Sequence, residues 1–252
     1  MPRCVHCLNP VAGTTRDHAP PKSWYPLSER VGKQLATAPS CSDCNGTLGK
    51  IERELTETIG LALAGKKTAG ARHVSRAAIR AHSEASGRDP ADSRIRENKR
   101  QNLMADLVPG DQADSPQIMR RPDGSTVAAK LRSSHLHAFG EKMVRVLTHY
   151  KFGEFIESPK QVVVRPVLLE GFERFEAMIM IQNERISVLR HLPETQTYYW
   201  DTQWGARAWA LNLWGELRFI VLAGTPDELG KVPVGEGDVL SEHLDALDRP
   251  KN

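Results

Sequence analysis

Residues 4–7 read Cys-Val-His-Cys and residues 41–44 read Cys-Ser-Asp-Cys, and these two knuckles decide the fold of the first part of the chain. Each Cys-x-x-Cys turn can present two thiolates to one ion, and two such turns complete a tetrahedral set of sulfurs. Soft thiolates in that geometry favour zinc. The spacing therefore predicts a structural zinc site whose ligands are Cys4, Cys7, Cys41 and Cys44.

Two alternatives accompany this interpretation. The four cysteines could be unrelated buried residues, but two pairs with the same spacing argue against chance. His6, inside the first knuckle, could replace one cysteine as a ligand, and we expect it instead to be a solvent-facing neighbour of the site.

Composition is that of an ordinary globular protein. The chain has 252 residues, 40% hydrophobic and 26% charged, with a formal net charge of +3. This charge is too small to indicate nucleic acid by itself. No signal-peptide core and no run of 18 apolar residues is present, and clustered cysteines are typical of metal sites in a reducing compartment. We expect a cytoplasmic protein without membrane contact.

A second motif lies between the knuckles and just after them. Residues 16–22 read Arg-Asp-His-Ala-Pro-Pro-Lys, and Asn45 follows the second knuckle directly. In this order and spacing, residues 1–65 resemble the HNH endonuclease family, in particular the subgroup whose ββα-metal fold is held by two Cys-x-x-Cys pairs. The Asp17-His18 dipeptide, Pro20 and Asn45 match the family's pattern.

The resemblance implies a fold and a chemistry for this segment. Asp17 and Asn45 would be oxygen ligands of a catalytic Mg²⁺ or another divalent cation, and His18 would be the general base on water. Asp17, His18 and Asn45 are thus the predicted catalytic residues. On a regular strand His18 points to the face opposite Asp17.

Two neighbouring positions leave alternatives open. Glu52 lies seven residues after Asn45, on the same side of a helix, and is either a further ligand of the divalent cation, an anchor that supports its ligands, or a surface carboxylate. The family's middle His or Asn has no counterpart here, because Ala36, Thr37 and Ala38 occupy that neighbourhood. Thr37 or a backbone contact would then brace the loop.

Hydrophobic periodicity divides the chain into three predicted parts, which together indicate an α+β protein. Residues 1–65 form the HNH-like domain, with a helix over 45–64. Residues 66–130 form a basic helical segment, with a helix near 73–84, and a linker over about 109–126. Residues 131–252 form an α+β domain with a helix over 134–150 and an antiparallel sheet. Its predicted strands span 161–169, 175–182, 186–192, 197–200, 208–213 and 217–223.

Together these features predict a metal-dependent HNH-type endonuclease that hydrolyses phosphodiester bonds, with DNA the favoured nucleic acid. Lys22, Lys66 and Lys67 are the predicted phosphate contacts. The C-terminal domain has no assigned role beyond possible contact with a partner or self-association, and host defence or mobile elements are the settings that the family suggests by analogy. The alternative is a non-catalytic zinc ribbon that binds nucleic acid or a protein partner.

Overall fold

The computed structural model describes most of the chain. The described residues are 1–11, 13, 15–31, 35–63, 67–83, 87–105, 107–109, 118–120, 126–129, 132–158, 160–166, 187–192, 195–202, 205–214 and 217–232. Part of the predicted elements, including the strand over 175–182, lies outside them.

The first part of the chain is a β-hairpin followed by a long helix. Strand β1 (Thr15–Ala19) pairs antiparallel with β2 (Ala36–Ser40), so that His18 lies opposite Thr37. A 3-10 turn (Lys22–Trp24) and the short helix α1 (Leu27–Arg30) lie between them. Helix α2 (Ser42–Ala62) begins immediately after β2, with Cys41 as its N-cap. The predicted helix is confirmed and starts three residues earlier than expected.

Two further helices follow, α3 (Ala69–His82) and α4 (Pro90–Ala105). Helix α3 packs closely on α2 at Gly60, where an added Cβ would lie 2.6 Å from the Cβ of Ala78 and 2.8 Å from the carbonyl oxygen of Val74. This contact explains why the helical pattern of α2 runs through a glycine. Helix α4 was not predicted, and it carries no buried residue.

Short strands occupy part of the predicted linker. Strands β3 (Leu107–Pro109), β4 (Ile118–Arg120) and β5 (Thr126–Ala129) form a small antiparallel sheet in the order β3-β5-β4. The linker prediction over about 109–126 therefore missed β4.

The predicted C-terminal helix and antiparallel sheet are both present. Helix α5 (Ser133–Phe152) precedes a sheet in the order β6-β10-β9-β8-β7, all of whose pairs are antiparallel. Its strands are β6 (Gln161–Pro166), β7 (Ser187–Leu192), β8 (Thr195–Asp201), β9 (Arg207–Leu213) and β10 (Leu217–Gly224). A short helix, α6 (Pro226–Gly230), follows β10. The protein is thus α+β, as predicted.

One hydrophobic core joins the hairpin, α2, α5 and the five-stranded sheet. Trp24, which follows β1, stacks on Phe139 of α5 with 4.9 Å between ring centroids, and it packs at a tilt against Trp214 after β9 with 4.8 Å between centroids. Helix α5 therefore covers the buried face of the β1–β2 hairpin. Within the described residues, no helix is long and apolar enough to cross a bilayer.

Candidate metal centre and the adjoining carboxylate site

The four cysteines meet at the base of the hairpin. The sulfurs of Cys4, Cys7, Cys41 and Cys44 all lie within 4.8 Å of one another, and Cys7 Sγ is 3.9 Å from Cys41 Sγ. Four sulfurs around zinc at about 2.3 Å lie about 3.8 Å apart in a tetrahedron. The cluster therefore has the donor set and nearly the spacing of a structural zinc site.

Backbone contacts hold the two knuckles in place. The N–H of Val5 donates to the carbonyl oxygen of Pro39 at 3.0 Å, which ties the first knuckle to β2. The N–H of Cys44 donates to Cys41 Sγ at 3.4 Å, and that of His6 to Cys4 Sγ at 3.4 Å. An ion bound here would link the N-terminal turn to both β2 and α2.

The thiols differ in acidity before any ion is bound. Burial raises the pKa of Cys4, but backbone N–H groups of Cys7, Cys41 and His6 outweigh it and bring the pKa to about 6. Burial and the neighbouring sulfurs raise the pKa of Cys44 above its usual value. Cys4 is therefore a thiolate at neutral pH, the form that binds zinc.

His6 is not the solvent-facing neighbour that the sequence suggested. Its side chain is 8% exposed, and Nε2 donates to Asp17 Oδ2 at 2.8 Å. The side chain of Asp17, 5% exposed, accepts from it on the inner face of β1. The first zinc knuckle and the Asp-His dipeptide are thus connected by a buried hydrogen bond, which fixes the orientation of the carboxylate.

A lysine from α5 completes this carboxylate site. Lys142, whose side chain is 2% exposed, donates from Nζ to Asp17 Oδ1 at 2.8 Å and to the carbonyl oxygen of His18 at 3.1 Å. It also forms an ion pair with Glu52 Oε1. Glu52, 16% exposed, is therefore an anchor of the site rather than a surface carboxylate.

This network sets the charge of its members. Burial raises the pKa of Asp17, but the hydrogen bond from His6 and the charge of Lys142 outweigh it, so the pKa lies below its ordinary value. Burial lowers the pKa of Lys142, which the charge of Asp17 partly opposes. The Asp17 carboxylate is thus ionised and paired.

His18 lies on the other face of β1, as the alternation of a strand predicts. It is half-buried, while Asp17 and Ala19 on either side are buried. Burial lowers the pKa of His18, and the charge of Lys22 lowers it further, against the opposing charge of Asp17. The N–H of His18 donates to Asp17 Oδ1 at 2.8 Å, so Asp17 also fixes the backbone that carries the imidazole.

The remaining predicted site residues are Asn45, Lys22, Lys66 and Lys67. Asn45 is half-buried at the start of α2, and its N–H donates to the carbonyl oxygen of Cys41 at 3.0 Å. Among the described residues, no hydrogen bond joins Asn45 to Asp17 or Glu52. Lys22 and Lys67 are exposed, and Lys66 lies outside the described residues.

Sequence reasoning missed Lys142 and the role of His6. Lys142 lies between Phe139 and Met143, inside the apolar stripe of α5, and a lysine in such a stripe is a signal of a buried ion pair. The sequence does not reveal its partners, because they lie 90 or more residues away.

The predicted divalent-cation site does not fit this arrangement. A cation held by Asp17 and Glu52 would have to lie where the Lys142 ammonium lies, and Asp17 Oδ2 is already bonded to His6. The zinc ligands and the paired carboxylates are therefore two different kinds of site.

Comparison with known proteins finds no match: no protein family matches the chain, and neither a curated protein nor a solved structure does. What the structure itself supports is a four-cysteine cluster able to hold a metal, in a hairpin followed by a helix.

Proposed function

We propose that the protein is a nuclease of the HNH type, held by zinc, with His18 as the general base of phosphodiester hydrolysis. The observation that supports this most is the position of Asp17-His18 on β1, in a hairpin whose second strand leads directly into α2 beside the four thiols. This is the order of elements and residues that the family resemblance implies.

The chemistry assigned to His18 follows from its environment. Its lowered pKa keeps the imidazole neutral at pH 7, so it can accept a proton from water. The water oxygen would attack phosphorus as its proton passes to His18. The bond from phosphorus to the leaving oxygen would break, and the leaving oxygen would take a proton from solvent water. Lys22, exposed and close enough to affect His18, would pair with a phosphate oxygen.

Asp17 acts in this proposal as a positioning residue. Its Oδ1 accepts from the N–H of His18, while Lys142 holds the carbonyl oxygen of the same residue. Both backbone polar groups of His18 are therefore fixed from the buried side, which leaves its imidazole on the open side of β1. No step is assigned to a divalent cation, because the carboxylates are already paired.

One observation favours the second candidate, a zinc protein that binds nucleic acid or a protein partner without cleaving. Both oxygens of Asp17 are engaged in a buried network, which is what a purely structural carboxylate does. In that case His18 would have no catalytic task, and exposed cations such as Lys22 and Lys67 would supply the affinity for polyanions.

A substrate panel separates the two functions. Zinc-loaded protein is incubated with supercoiled plasmid, linear duplex DNA, single-stranded DNA and RNA, with and without Mg²⁺ or Mn²⁺, and binding is measured in parallel. Cleavage of any of these that His18→Ala abolishes supports the nuclease. Binding without cleavage under every condition supports the second candidate.

A further inference from the structure

We infer that Lys142 is the resident cation of the Asp17–Glu52 site, and that its ammonium excludes divalent ions from that site in the folded protein. This deepens the proposed function, since it concerns the cation of the same site. The test of this inference measures metal binding and not cleavage, so the inference and the proposed function can fail separately.

The donors and acceptors around Lys142 match in number. A lysine ammonium carries three protons. Three oxygens receive them, one each from Asp17, Glu52 and the carbonyl group of His18. Two carboxylates and a backbone carbonyl are also a donor set that hard cations prefer. The protein therefore fills a cation site with a group of its own.

Burial and chain connection keep the ammonium in place. The Lys142 side chain is 2% exposed, and α5 around it is anchored by Phe139 and Met143, both fully buried. Removing the ammonium would bring two carboxylates together without a counter-charge. A divalent ion would have to displace it from three bonds at once.

One ammonium leaves a net negative charge among the three ionised groups of the site. Asp17 and Glu52 contribute two negative charges, and Lys142 contributes one positive charge. The second oxygen of Asp17 is further stabilised by the hydrogen bond from His6. Vacating the position would leave two carboxylates and a carbonyl oxygen facing an emptied volume the size of an ammonium.

The test measures Mn²⁺ binding by electron paramagnetic resonance on zinc-loaded full-length protein. For wild type we expect the same number of bound Mn²⁺ ions as for Asp17→Asn. For Lys142→Met we expect one additional Mn²⁺ per chain, lost again in Lys142→Met/Asp17→Asn. Mn²⁺ should raise the melting temperature of Lys142→Met by more than that of wild type. Lys160→Met, at an exposed lysine, is the matched control and should behave as wild type.

Two results would overturn the inference. One is a Mn²⁺ ion bound to wild type that Asp17→Asn removes, because the ammonium would then not exclude it. The other is a folded Lys142→Met that gains no Mn²⁺. If Lys142→Met does not fold, Lys142→Gln takes its place, because its amide still donates to one carboxylate. If neither variant folds, the comparison of Mn²⁺ binding between wild type and Asp17→Asn decides alone. A wild type that cleaves nothing would overturn the proposed function without changing these readings.

Discussion

Asp17 and His18 are neighbours in sequence, but they lie on opposite faces of β1, and this alternation divides the candidate site into two halves. The inner half holds Asp17, His6, Lys142 and Glu52, all largely buried. The outer half holds the half-buried imidazole of His18 near the exposed Lys22. Charge is fixed on the inner side, and proton transfer would take place on the outer side.

The protonation of His18 gives the first prediction at this scale. Because burial and the charge of Lys22 lower its pKa, the basic form is complete at a lower pH than for an ordinary histidine, whose pKa is 6.5. The rate of cleavage should rise with pH through a midpoint below 6.5 and then level off. Lys22→Ala removes one lowering charge and should move this midpoint upward. A rate that still rises above pH 7.5, about one pH unit above the pKa of an ordinary histidine, would contradict the assignment of His18 as the general base.

The second residue-scale prediction concerns zinc. Elemental analysis of protein purified without added metal should give about one zinc per chain, the stoichiometry of four thiolates. Cys41→Ser should lose the zinc and lower the melting temperature because Cys41 is a proposed ligand, while serine can still cap α2 at this position. Ser42→Ala, at the exposed next residue, is the control. A folded wild type without zinc would contradict this prediction.

What the sequence could predict at this scale depended on spacing. The two knuckles have the same internal spacing and the Asp-His pair lies between them, so the thiol cluster can be inferred from the residues alone. The side chain of Lys142 and its partners are far apart along the chain, and only the packing of α5 on the hairpin brings them together. The same packing makes His6 a buried partner of Asp17 instead of a surface residue.

At the scale of elements, α2 connects three parts of the molecule. Its N-cap, Cys41, belongs to the thiol cluster, its middle carries Glu52, and its last turns pack on α3 at Gly60. The same substitution at two positions of α2 should therefore change the stability of the fold differently, depending on which part of the protein the new side chain contacts.

The two glycines Gly60 and Gly49 of α2 test this directly. A Cβ at Gly60 would meet Ala78 and the backbone of Val74, so Gly60→Ala should destabilise the fold by about 1–3 kcal/mol. Gly49 has nothing within 4 Å, so Gly49→Ala should stabilise the helix by about 0.5–1 kcal/mol. Denaturant unfolding of both variants measures this. Equal effects of the two substitutions would contradict the close α2–α3 contact.

Elements with a clear apolar period could be predicted, and polar ones could not. Helix α5 and strand β9 carry apolar patterns that match their burial. Helix α4 has no buried residue. Some of its charged side chains pair within the helix, as Arg100 does with Glu97, and others reach a neighbouring helix, as Lys99 does with Glu57 of α2. The start of α4 does carry a capping signal in the sequence. Asp89 accepts from the N–H groups of Ala91 and Asp92, and Pro90 follows it.

At the scale of the whole molecule, the core crosses the predicted domain boundaries. Trp24 of the first part packs against Phe139 of α5 and Trp214 of the sheet region. Lys142 of α5 neutralises Asp17 of β1. The predicted division at residues 65 and 131 follows changes of sequence pattern, which do not show how much surface the parts bury against each other.

This continuity predicts the behaviour of a fragment. Residues 1–107 alone would expose Trp24 and leave Asp17 without Lys142. Breaking a buried ion pair in this way costs about 3–5 kcal/mol, a large share of the stability of a small domain. The fragment should show no cooperative thermal unfolding by circular dichroism, even with zinc, whereas the full chain should under the same conditions. Cooperative unfolding of the zinc-loaded fragment would contradict this account.

The most direct test of the proposed function is the single-turnover cleavage rate of His18→Ala on the substrate that the wild type cuts. Removing a general base lowers a rate by about 10²–10⁴-fold. We predict a loss in this range, with zinc content and nucleic-acid affinity unchanged, because His18 contributes to neither. His137→Ala, at an exposed histidine of α5, should cleave like wild type. If a folded, zinc-loaded His18→Ala cleaves as fast as wild type, His18 is not the base and the proposed mechanism is wrong.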